Sequence, residues 1–386
     1  MTQLRVGMIG TGFMGKAHAL AWRNAATLFP LPLQPVALLL AEQDAALAAT
    51  RAAELGFVRS TGNWRELVAD PEVDVVDICT PNDMHYPMAM AAIAHGKHVY
   101  CEKPLGLNVA QSREMAAAAA SAGVRTMVGF NYAKNPIAAL ARQMIQQGEI
   151  GRLLHFRGTH TEDYLADPNR SGGWRILRER AGMGALGDLC HIVSLALLLA
   201  GDIEELCADL QVVIPTRPAG PVGREAPTQV ENEDQAHALV RFASGAIGTL
   251  ECSRVAWGRK NGLTWEINGS EGSLVFDQEC QNELHYFAAS DPPARQGFRR
   301  ILLGPEHPDY AAFCPAPGHG LGFNEQKVIE VRDFVEAIAQ RRAAWPDFDV
   351  GRDIDAVLAA MEVSSRERRW VKLEPGADRP ANGDGA

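Results

Sequence analysis

The segment that most constrains the fold is a glycine motif that follows an apolar run close to the start of the chain. It reads Gly10-Thr11-Gly12-Phe13-Met14-Gly15, and an Ala-rich stretch with helical periodicity follows it. Glycine allows a tight turn at the first position, a close backbone approach to a pyrophosphate at the second, and dense helix–strand packing at the third. The motif therefore predicts a dinucleotide-binding unit with the anion at the helix N-terminus.

Apolar runs typical of strands alternate with Ala-rich helical stretches up to about residue 131. The predicted strands cover residues 4–9, 36–40, 73–79, 98–101 and 126–130. The predicted helices cover residues 15–25, 45–55, 64–69, 87–95 and 109–122. This alternation predicts a doubly wound parallel sheet, which is an α/β Rossmann domain.

After residue 131 strand-like runs follow one another with short glycine turns between them. The predicted strands cover 153–161, 205–214, 234–242, 246–254, 263–268, 273–276 and 283–288, and the predicted helices cover 136–147, 185–199, 325–341 and 352–368. This order predicts an α+β C-terminal domain with a large, mostly antiparallel sheet.

We expect two domains, because 386 residues exceed a single ordinary core. The predicted limits are 1–131 for an NAD-binding Rossmann domain, 132–374 for a substrate-binding and oligomerisation domain, and 375–386 for a flexible tail. The stretches 215–227 and 290–322 are too long for simple connectors, so each is either a rim of the site or a surface excursion.

Charge and cysteine usage bear on partners and location. A formal net charge of −10 gives no overall attraction to phosphate backbones or anionic lipids, so we expect no nucleic-acid partner and no membrane partner. Seven scattered cysteines without a C-x-x-C pair favour reduced thiols over zinc or disulfides, and we expect no metal. With no leader-like segment and no apolar run long enough to span a bilayer, the expected location is cytoplasmic.

Glu42 is the candidate for binding the adenosine ribose. An acidic residue is expected at the end of the second strand, about twenty residues after the glycines. Here it comes later, because residues 24–35 form an insertion with three prolines. A carboxylate would accept hydrogen bonds from ribose hydroxyls and repel a 2′-phosphate, which favours NAD over NADP. A solvated Glu42, with Asp44 in its place, is the alternative.

Two further segments are predicted at the carboxyl ends of parallel strands, where ligands bind in such sheets. Thr80-Pro81-Asn82, with His85 shortly after, follows the strand that ends at Cys79 and would lie over the dinucleotide. His85 is equally compatible with a role at the start of a helix. Cys101-Glu102-Lys103-Pro104 closes another strand and would place Glu102 and Lys103 at the same edge.

A second group of polar residues lies far along the chain, in Gly184-Ala185-Leu186-Gly187-Asp188-Leu189-Cys190-His191. Asp188 and His191 are separated by one helical turn and share a face. A carboxylate and an imidazole in this arrangement could act as one unit, although each is also found as a structural residue in helices.

Together these motifs resemble the Gfo/Idh/MocA oxidoreductase family, through G-x-G-x-x-G-x-x-H ending at His18, T-P-N-x-x-H, E-K-P and the later Asp–His helix. Within the family, the segments 129–132, 172–175 and 184–188 are most similar to the sugar-dehydrogenase branch that contains levoglucosan dehydrogenase. The resemblance implies that Lys103, Asp188 and His191 form a catalytic group, and that the protein is a homodimer or homotetramer.

The resemblance also implies where a small-molecule sugar or polyol would bind. The residues placed around the second-domain side of the cleft are Tyr132, Asp163, Tyr164, Trp174, Arg175 and His319, together with the three catalytic candidates. Aromatic faces suit the C–H patches of sugars, and polar groups suit their hydroxyls. For Trp174, packing in a core or an interface is the alternative.

One departure from the family pattern concerns the helix pair. The family spaces these residues as Asp-x-x-x-His, whereas this chain has Asp188 and His191 with only two residues between them. On a regular helix this turns the imidazole by roughly 100°. A π-bulge, a shifted helix start or another residue in the role of base could compensate.

The expected function is NAD-dependent oxidation of a secondary hydroxyl in a sugar, anhydrosugar or cyclitol. In this hypothesis His191 takes the hydroxyl proton, Asp188 orients the ring or a neighbouring hydroxyl, and Lys103 stabilises the developing alkoxide. Two alternatives remain at this point: an NAD-dependent glycoside hydrolase of the same fold, and a non-catalytic dinucleotide-binding regulator.

Overall fold

The computed structural model describes residues 2–218 and 227–374. Its first sheet has six parallel strands in the order β3-β2-β1-β4-β5-β6. The strands are β1 (Gln3–Ile9), β2 (Gln34–Ala41), β3 (Arg59–Thr61), β4 (Val75–Ile78), β5 (His98–Cys101) and β6 (Thr126–Val128). The strand order reverses between β1 and β4, and ligands bind at such a switch point. The doubly wound prediction is confirmed, although the short strand β3 was not predicted.

Five helices connect these strands. They are α1 (Phe13–Leu28), α2 (Ala45–Leu55), α3 (Trp64–Ala69), α4 (His85–Ala94) and α5 (Val109–Ala122). Local signals explain the sharp limits of two of them, since Asp44 and Asn108 cap the starts of α2 and α5 and glycines with positive φ follow their ends.

The second sheet has nine strands among the described residues, in the order β16-β15-β14-β13-β7-β12-β11-β8-β17. Their bounds are β7 (Leu153–Thr161), β8 (Ile203–Gln211), β11 (Gln235–Phe242), β12 (Ile247–Ser253), β13 (Gly262–Gly269), β14 (Gly272–Asp277), β15 (Glu283–Ala288), β16 (Arg299–Leu302) and β17 (Val371–Lys372). All neighbours are antiparallel except β7 and β12, which run parallel. The prediction of a mostly antiparallel sheet is confirmed.

Besides short 3-10 turns, the described part of the chain also contains a small hairpin and five further α-helices. The hairpin pairs β9 (Thr216–Pro218) with β10 (Pro227–Gln229), and the helices are α6 (Pro136–Gln146), α7 (Arg178–Ala181), α8 (Leu186–Leu199), α9 (Phe323–Gln340) and α10 (Phe348–Glu367). The residues between the two hairpin strands, and the predicted flexible tail at 375–386, lie outside the described residues.

The last two long helices return to the first sheet. Helix α9 packs along α1, where Val328, Val331 and Phe334 share a core cluster with Leu4 and Trp22. Helix α10 packs against α5 as well as against β8. The C-terminal part of the chain therefore supplies side chains to the region around the dinucleotide motif.

Helix α8 is the apolar centre of the molecule. The helical run Arg178–Leu199 is long and apolar enough to span a membrane by length and composition, contrary to the expectation from sequence. However, 89% of its most apolar window is buried by the rest of the chain, as in the core helix of a globular protein. The helix begins at the cleft between the two sheets, so its first turn carries site residues and its remainder forms the core.

Candidate active site

The glycine motif forms a turn whose geometry suits a dinucleotide. A Cβ on Gly15 would lie 2.2 Å from the carbonyl oxygen of Gly10, so only glycine permits this contact between turn and helix. Around Gly12, in contrast, a Cβ would meet nothing within 4 Å, and no described side chain caps the start of α1. The start of α1 thus presents uncapped amide groups and open space, which is what a pyrophosphate requires. Thr11, Phe13 and Met14 line the same cleft.

Glu42 lies at the end of β2, beside this turn. Its Oε1 atom accepts a hydrogen bond from the Thr11 amide at 2.7 Å and another from the Thr11 hydroxyl. The insertion before β2 therefore delays the carboxylate in sequence without moving it away from the crevice. In this position the Glu42 carboxylate can contact ribose hydroxyls, and its negative charge would repel a 2′-phosphate.

The loop after β4 reaches the cleft, but its histidine does not. Thr80, Pro81 and Asn82 line the cleft, and Asn82 also donates a hydrogen bond to the Ala181 carbonyl at 3.0 Å. His85 is fully buried and lies between the carbonyl oxygens of Pro104, at 2.8 Å, and Thr80, at 3.1 Å. The prediction of a cofactor contact for His85 is therefore corrected: the ring joins two loops at the start of α4.

Lys103 and Asp188 meet at the centre of the cleft. The Lys103 ammonium donates to Oδ1 of Asp188 at 3.0 Å and to the Gly187 carbonyl at 3.3 Å. Burial opposes charge on both groups, but their mutual attraction outweighs it. As a result the pKa of Lys103 is raised, and the pKa of Asp188 is lowered to about 2. Both groups are therefore ionised at neutral pH.

Two residues of β7 and the segment after it hold Asp188 from the other side. Tyr164 donates a hydrogen bond to Oδ2 of Asp188 at 2.9 Å. The Nδ1 atom of His160 lies 2.8 Å from the backbone carbonyl oxygen of Asp188. Tyr164 was among the predicted residues, whereas His160 was missed. The alternation of β7 could have indicated His160, because residues 156, 158 and 160 share the buried face of the strand.

His191 lines the cleft one turn after Asp188 but makes no hydrogen bond to it. Its ring is packed edge-on against Phe130 and Tyr132, with ring centroids 6.0 Å and 4.6 Å away. Burial, reinforced by the Lys103 charge, holds the pKa of His191 well below its usual range, so the imidazole is neutral. The helix starts regularly at Leu186, without the π-bulge considered above.

Glu162 also faces this cleft and was missed by the sequence analysis. It lies between His160 and Tyr164 and next to the Lys103–Asp188 pair. Burial and the nearby Asp188 carboxylate raise the pKa of Glu162 to about 7.

The other predicted substrate residues divide into two groups. Tyr132, Trp174 and Arg175 line the cleft, and the Arg175 guanidinium lies 4.6 Å from the Trp174 ring centroid. Asp163 instead faces away and accepts a hydrogen bond from Lys260 at 2.6 Å. His319 is exposed in the long segment before α9. The predictions for Asp163 and His319 are corrected, because one residue of shift along a strand reverses its direction and the long segment does not bring His319 to the cleft.

Behind Lys103, a buried network of charged groups joins the two halves of the chain. Glu102 lies 2.9 Å from Nε2 of His18 and 2.6 Å from the Lys327 ammonium of α9. The other ring nitrogen of His18 lies 2.9 Å from Asp77. Burial disfavours the charged imidazole, but Asp77 and Glu102 outweigh it and raise the pKa of His18 to about 9. Glu102 is thus neutralised by two cations and accepts a bond from the Lys103 amide.

One cluster of potential metal ligands lies among the described residues, formed by His18, Asp77 and Cys79. Both nitrogens of His18 already contact carboxylates, and Trp22 donates to Asp77 at 2.7 Å. Because these groups are engaged with protein partners, the cluster is better described as part of the charged network than as a metal site.

The chain matches two protein-family models. Residues 4–130 match the model described as an oxidoreductase family with an NAD-binding Rossmann fold, and residues 138–275 match the GFO/IDH/MocA C-terminal domain. The first match agrees with the dinucleotide and NAD predictions made from the glycine motif and Glu42.

Full-length relatives support the same assignment. The chain is 42% identical to levoglucosan dehydrogenase of Pseudarthrobacter phenanthrenivorans over 97% of this chain and 99% of that protein. A structure of levoglucosan dehydrogenase in complex with NADH and L-sorbose superposes with a TM-score of 0.94 at 42% identity, covering 97% of this chain and all of that one. An NAD-binding oxidoreductase from Klebsiella pneumoniae gives a TM-score of 0.93 at 47% identity, with the same coverage.

Proposed function

Because this chain belongs to the Gfo/Idh/MocA family of NAD-dependent oxidoreductases, we propose that it oxidises a secondary hydroxyl of a sugar, anhydrosugar or cyclitol. The observation that carries the proposal is the Lys103–Asp188 ion pair, 3.0 Å long, in a cleft continuous with the glycine turn. Relatives named for sugar and inositol oxidation support the substrate class.

In this proposal the glycine turn holds the dinucleotide pyrophosphate and Glu42 binds the adenosine ribose. Thr80, Pro81, Asn82 and Glu102 line the path towards the reacting end. When bound, NAD supplies the hydride acceptor. The protein's own task is to bind the substrate, orient it and move its hydroxyl proton.

Lys103 is the group that stabilises negative charge on the substrate oxygen. Loss of a hydride from a carbinol carbon requires the hydroxyl proton to leave as well, so the oxygen acquires alkoxide character. An ammonium whose pKa is raised remains charged and can donate a hydrogen bond to that oxygen. Asp188 keeps the ammonium in place and accepts a hydrogen bond from Tyr164.

We assign the role of proton acceptor to His191. Its depressed pKa keeps the imidazole unprotonated at neutral pH, as a base must be. Tyr132, whose ring lies 4.6 Å away between centroids, fixes the orientation of the imidazole in place of the Asp188 contact that is absent among the described groups. With only two residues between Asp188 and His191, the imidazole is held by packing against Tyr132 instead of by Asp188. It still faces the cleft.

The proposal is tested by adding NAD and a panel of neutral polyols to the purified protein. Levoglucosan, myo-inositol and scyllo-inositol belong in the panel, and formation of NADH is followed by absorbance. Turnover of at least one compound is expected. No NADH from any of them would contradict the dehydrogenase.

Two other outcomes would identify the alternatives raised by the sequence. Release of a chromogenic leaving group from a glycoside, without net NADH, would indicate a hydrolase. NAD binding measured by calorimetry without any turnover would indicate a regulator. The ionised Lys103–Asp188 pair favours the dehydrogenase over the regulator, since a binding protein has no need of it.

We also propose that the protein is a cytoplasmic homo-oligomer. One face of the nine-stranded sheet carries exposed apolar side chains, among them Leu239 (54% exposed) and Ile247 (50% exposed). A second copy would cover such a face. All seven cysteines are free thiols, which suits a reducing compartment. The assembly is tested by comparing the masses of the wild type and of a Leu239→Glu variant in sedimentation analysis.

A further inference from the structure

The position of Glu162 is defined by its neighbours on the extended chain. His160 and Tyr164, two residues to either side, both contact Asp188, at 2.8 Å and 2.9 Å. The backbone of Glu162 continues the pattern of β7, since its amide bonds to the Ser253 carbonyl and its own carbonyl accepts from Ala256. Alternation therefore directs its side chain to the Asp188 side, into the cleft that Lys103 also lines.

The Glu162 carboxylate has no hydrogen-bond donor and no ion-pair partner among the described residues, unlike the neighbouring carboxylates of Asp188 and Asp163. Asp188 is held by Lys103 and Tyr164, and Asp163 is held by Lys260. An ionised carboxylate can only accept hydrogen bonds, and burying one without donors is costly. Glu162 is half-buried, so its donors come from water or from the molecule that displaces water from the cleft.

The charges around Glu162 indicate what kind of donor fits. The charged groups that act on it are Asp188, Lys103, Asp163 and Arg175. Asp188 and Asp163 are each paired with a lysine, whereas Glu162 has no lysine or arginine within ion-pair distance among the described residues. A carboxylate on the ligand would be repelled by Glu162 and an ammonium by Lys103 and Arg175, whereas hydroxyl groups supply donors without charge.

We propose that Glu162 is a substrate-binding residue that accepts hydrogen bonds from hydroxyls adjacent to the reacting carbinol, so that the substrate is an uncharged polyol with neighbouring hydroxyls. This inference rests on the proposed function and narrows it. It excludes sugar acids, whose carboxylate would face both Glu162 and Asp188.

Substitution of Glu162 by Gln tests the proposal, because the amide keeps the shape and removes the charge. Steady-state kinetics would be measured with the best neutral polyol of the panel and with analogues that each lack one hydroxyl. Loss of a charged acceptor corresponds to about a tenfold to hundredfold rise in KM. We expect this rise for the parent polyol in E162Q, with little change in kcat, and a much smaller rise for one deoxy analogue. Glu54→Gln, an exposed change far from the cleft, serves as the matched control.

The pH dependence gives a second, independent readout. The ionised carboxylate accepts more hydrogen bonds than the protonated form, so kcat/KM of the wild type should rise as pH increases through about 7. The other ionisable groups facing the cleft titrate elsewhere, because the pKa values of His160 and His191 are depressed and that of Lys103 is raised. E162Q should lack the rise.

The outcomes separate the two proposals. If the wild type oxidises a polyol and E162Q matches it in KM, in deoxy-analogue discrimination and in pH profile, the role of Glu162 is wrong and the dehydrogenase stands. Oxidation of D-glucuronate in preference to D-glucose would likewise overturn the inference alone. If no polyol is oxidised by the wild type, both proposals fall.

Discussion

The Lys103 ammonium lies 3.0 Å from the Asp188 carboxylate although 85 positions separate the two residues in the sequence. One group ends a strand of the first sheet and the other begins the central helix of the second half of the chain. Their meeting beside the glycine turn joins the dinucleotide site to the substrate site. It also gives each residue a distinct, measurable role.

Replacing Lys103 by Met should abolish most of the activity without preventing NAD binding. The substitution removes the charge that stabilises the substrate oxygen, and such groups contribute about 10² to 10⁴ in rate. We expect a fall of this size in kcat, with a dissociation constant for NAD within about threefold of the wild type. The exposed Lys372→Met is the matched control. Full activity in K103M would contradict the assigned role.

His191→Asn tests the proton acceptor. An amide keeps a polar group of similar size but cannot take the proton, so kcat should fall by about 10² or more. Because the pKa of His191 is held well below its usual value, the wild-type kcat should show no histidine-like loss between about pH 6 and 7. If H191N keeps the kcat of the wild type, another group is the base. His160 is then the next candidate, and His160→Asn is the variant to measure.

Glu42→Ala should weaken the preference for NAD. Removing the carboxylate deletes an acceptor for ribose hydroxyls and the repulsion of a 2′-phosphate, which together change selectivity by about tenfold or more. The measurement is the ratio of kcat/KM for NAD and NADP. Glu54→Ala on the exposed face of α2 should leave this ratio unchanged, and an unchanged ratio in E42A would show that Glu42 does not contact the ribose.

Lys327→Met should destabilise the protein more than Lys327→Met combined with Glu102→Gln. The single change leaves the buried Glu102 carboxylate without the ammonium 2.6 Å away, and breaking a buried ion pair costs about 3–5 kcal/mol. In the double variant the carboxylate charge is also gone. Denaturant unfolding of the four proteins measures the coupling, and additive effects of the two changes would contradict a direct interaction.

The pH dependence of stability should report His18. Its folded pKa of about 9 lies above the usual 6.5, so its protonation stabilises the folded state fully below about pH 6.5 and less as pH rises to 9. The loss is on the order of 3 kcal/mol. Glu162 and Asp355 both have a pKa raised to about 7, so they also lower the stability as the pH rises, but only up to about pH 7. Cys79, Cys101, Cys190 and Cys252 are buried thiols with raised pKa values, so they also lower the stability as the pH approaches 9. The contribution of His18 is therefore the difference between the unfolding free energies of the wild type and a His18→Asn variant over about pH 6 to 9, and parallel pH profiles of the two would contradict its charged state.

Much of the fold was predictable because its signals are local. Helices α2 and α5 were placed to the residue, since each has a capping side chain before it and a glycine after it. The strands missed, β3, β9, β10, β16 and β17, have between two and four residues each. Such short strands exist only through pairing with a neighbour, and a propensity pattern does not reveal the neighbour.

The residues of the candidate site likewise fall into those that a local motif predicts and those that it does not. The glycine turn, Lys103 and Asp188 were recognisable from motifs, because the chemistry of phosphate binding and proton transfer restricts which residue types serve. Glu162 was not, and its neighbour Asp163 was chosen instead. Side chains alternate along a strand, so one position decides between the cleft and the Lys260 ion pair.

The sequence by itself therefore determined the longer elements, the cofactor and the groups that belong to motifs, since periodicity, caps and short motifs act over a few residues. Only the tertiary structure decided which groups meet. The Glu102–Lys327 contact spans 225 positions, and the Lys103–Asp188 contact crosses from one sheet to the helix of the other. Contacts of this kind depend on how sheets and helices pack, because local sequence patterns do not reveal which groups far apart along the chain come together.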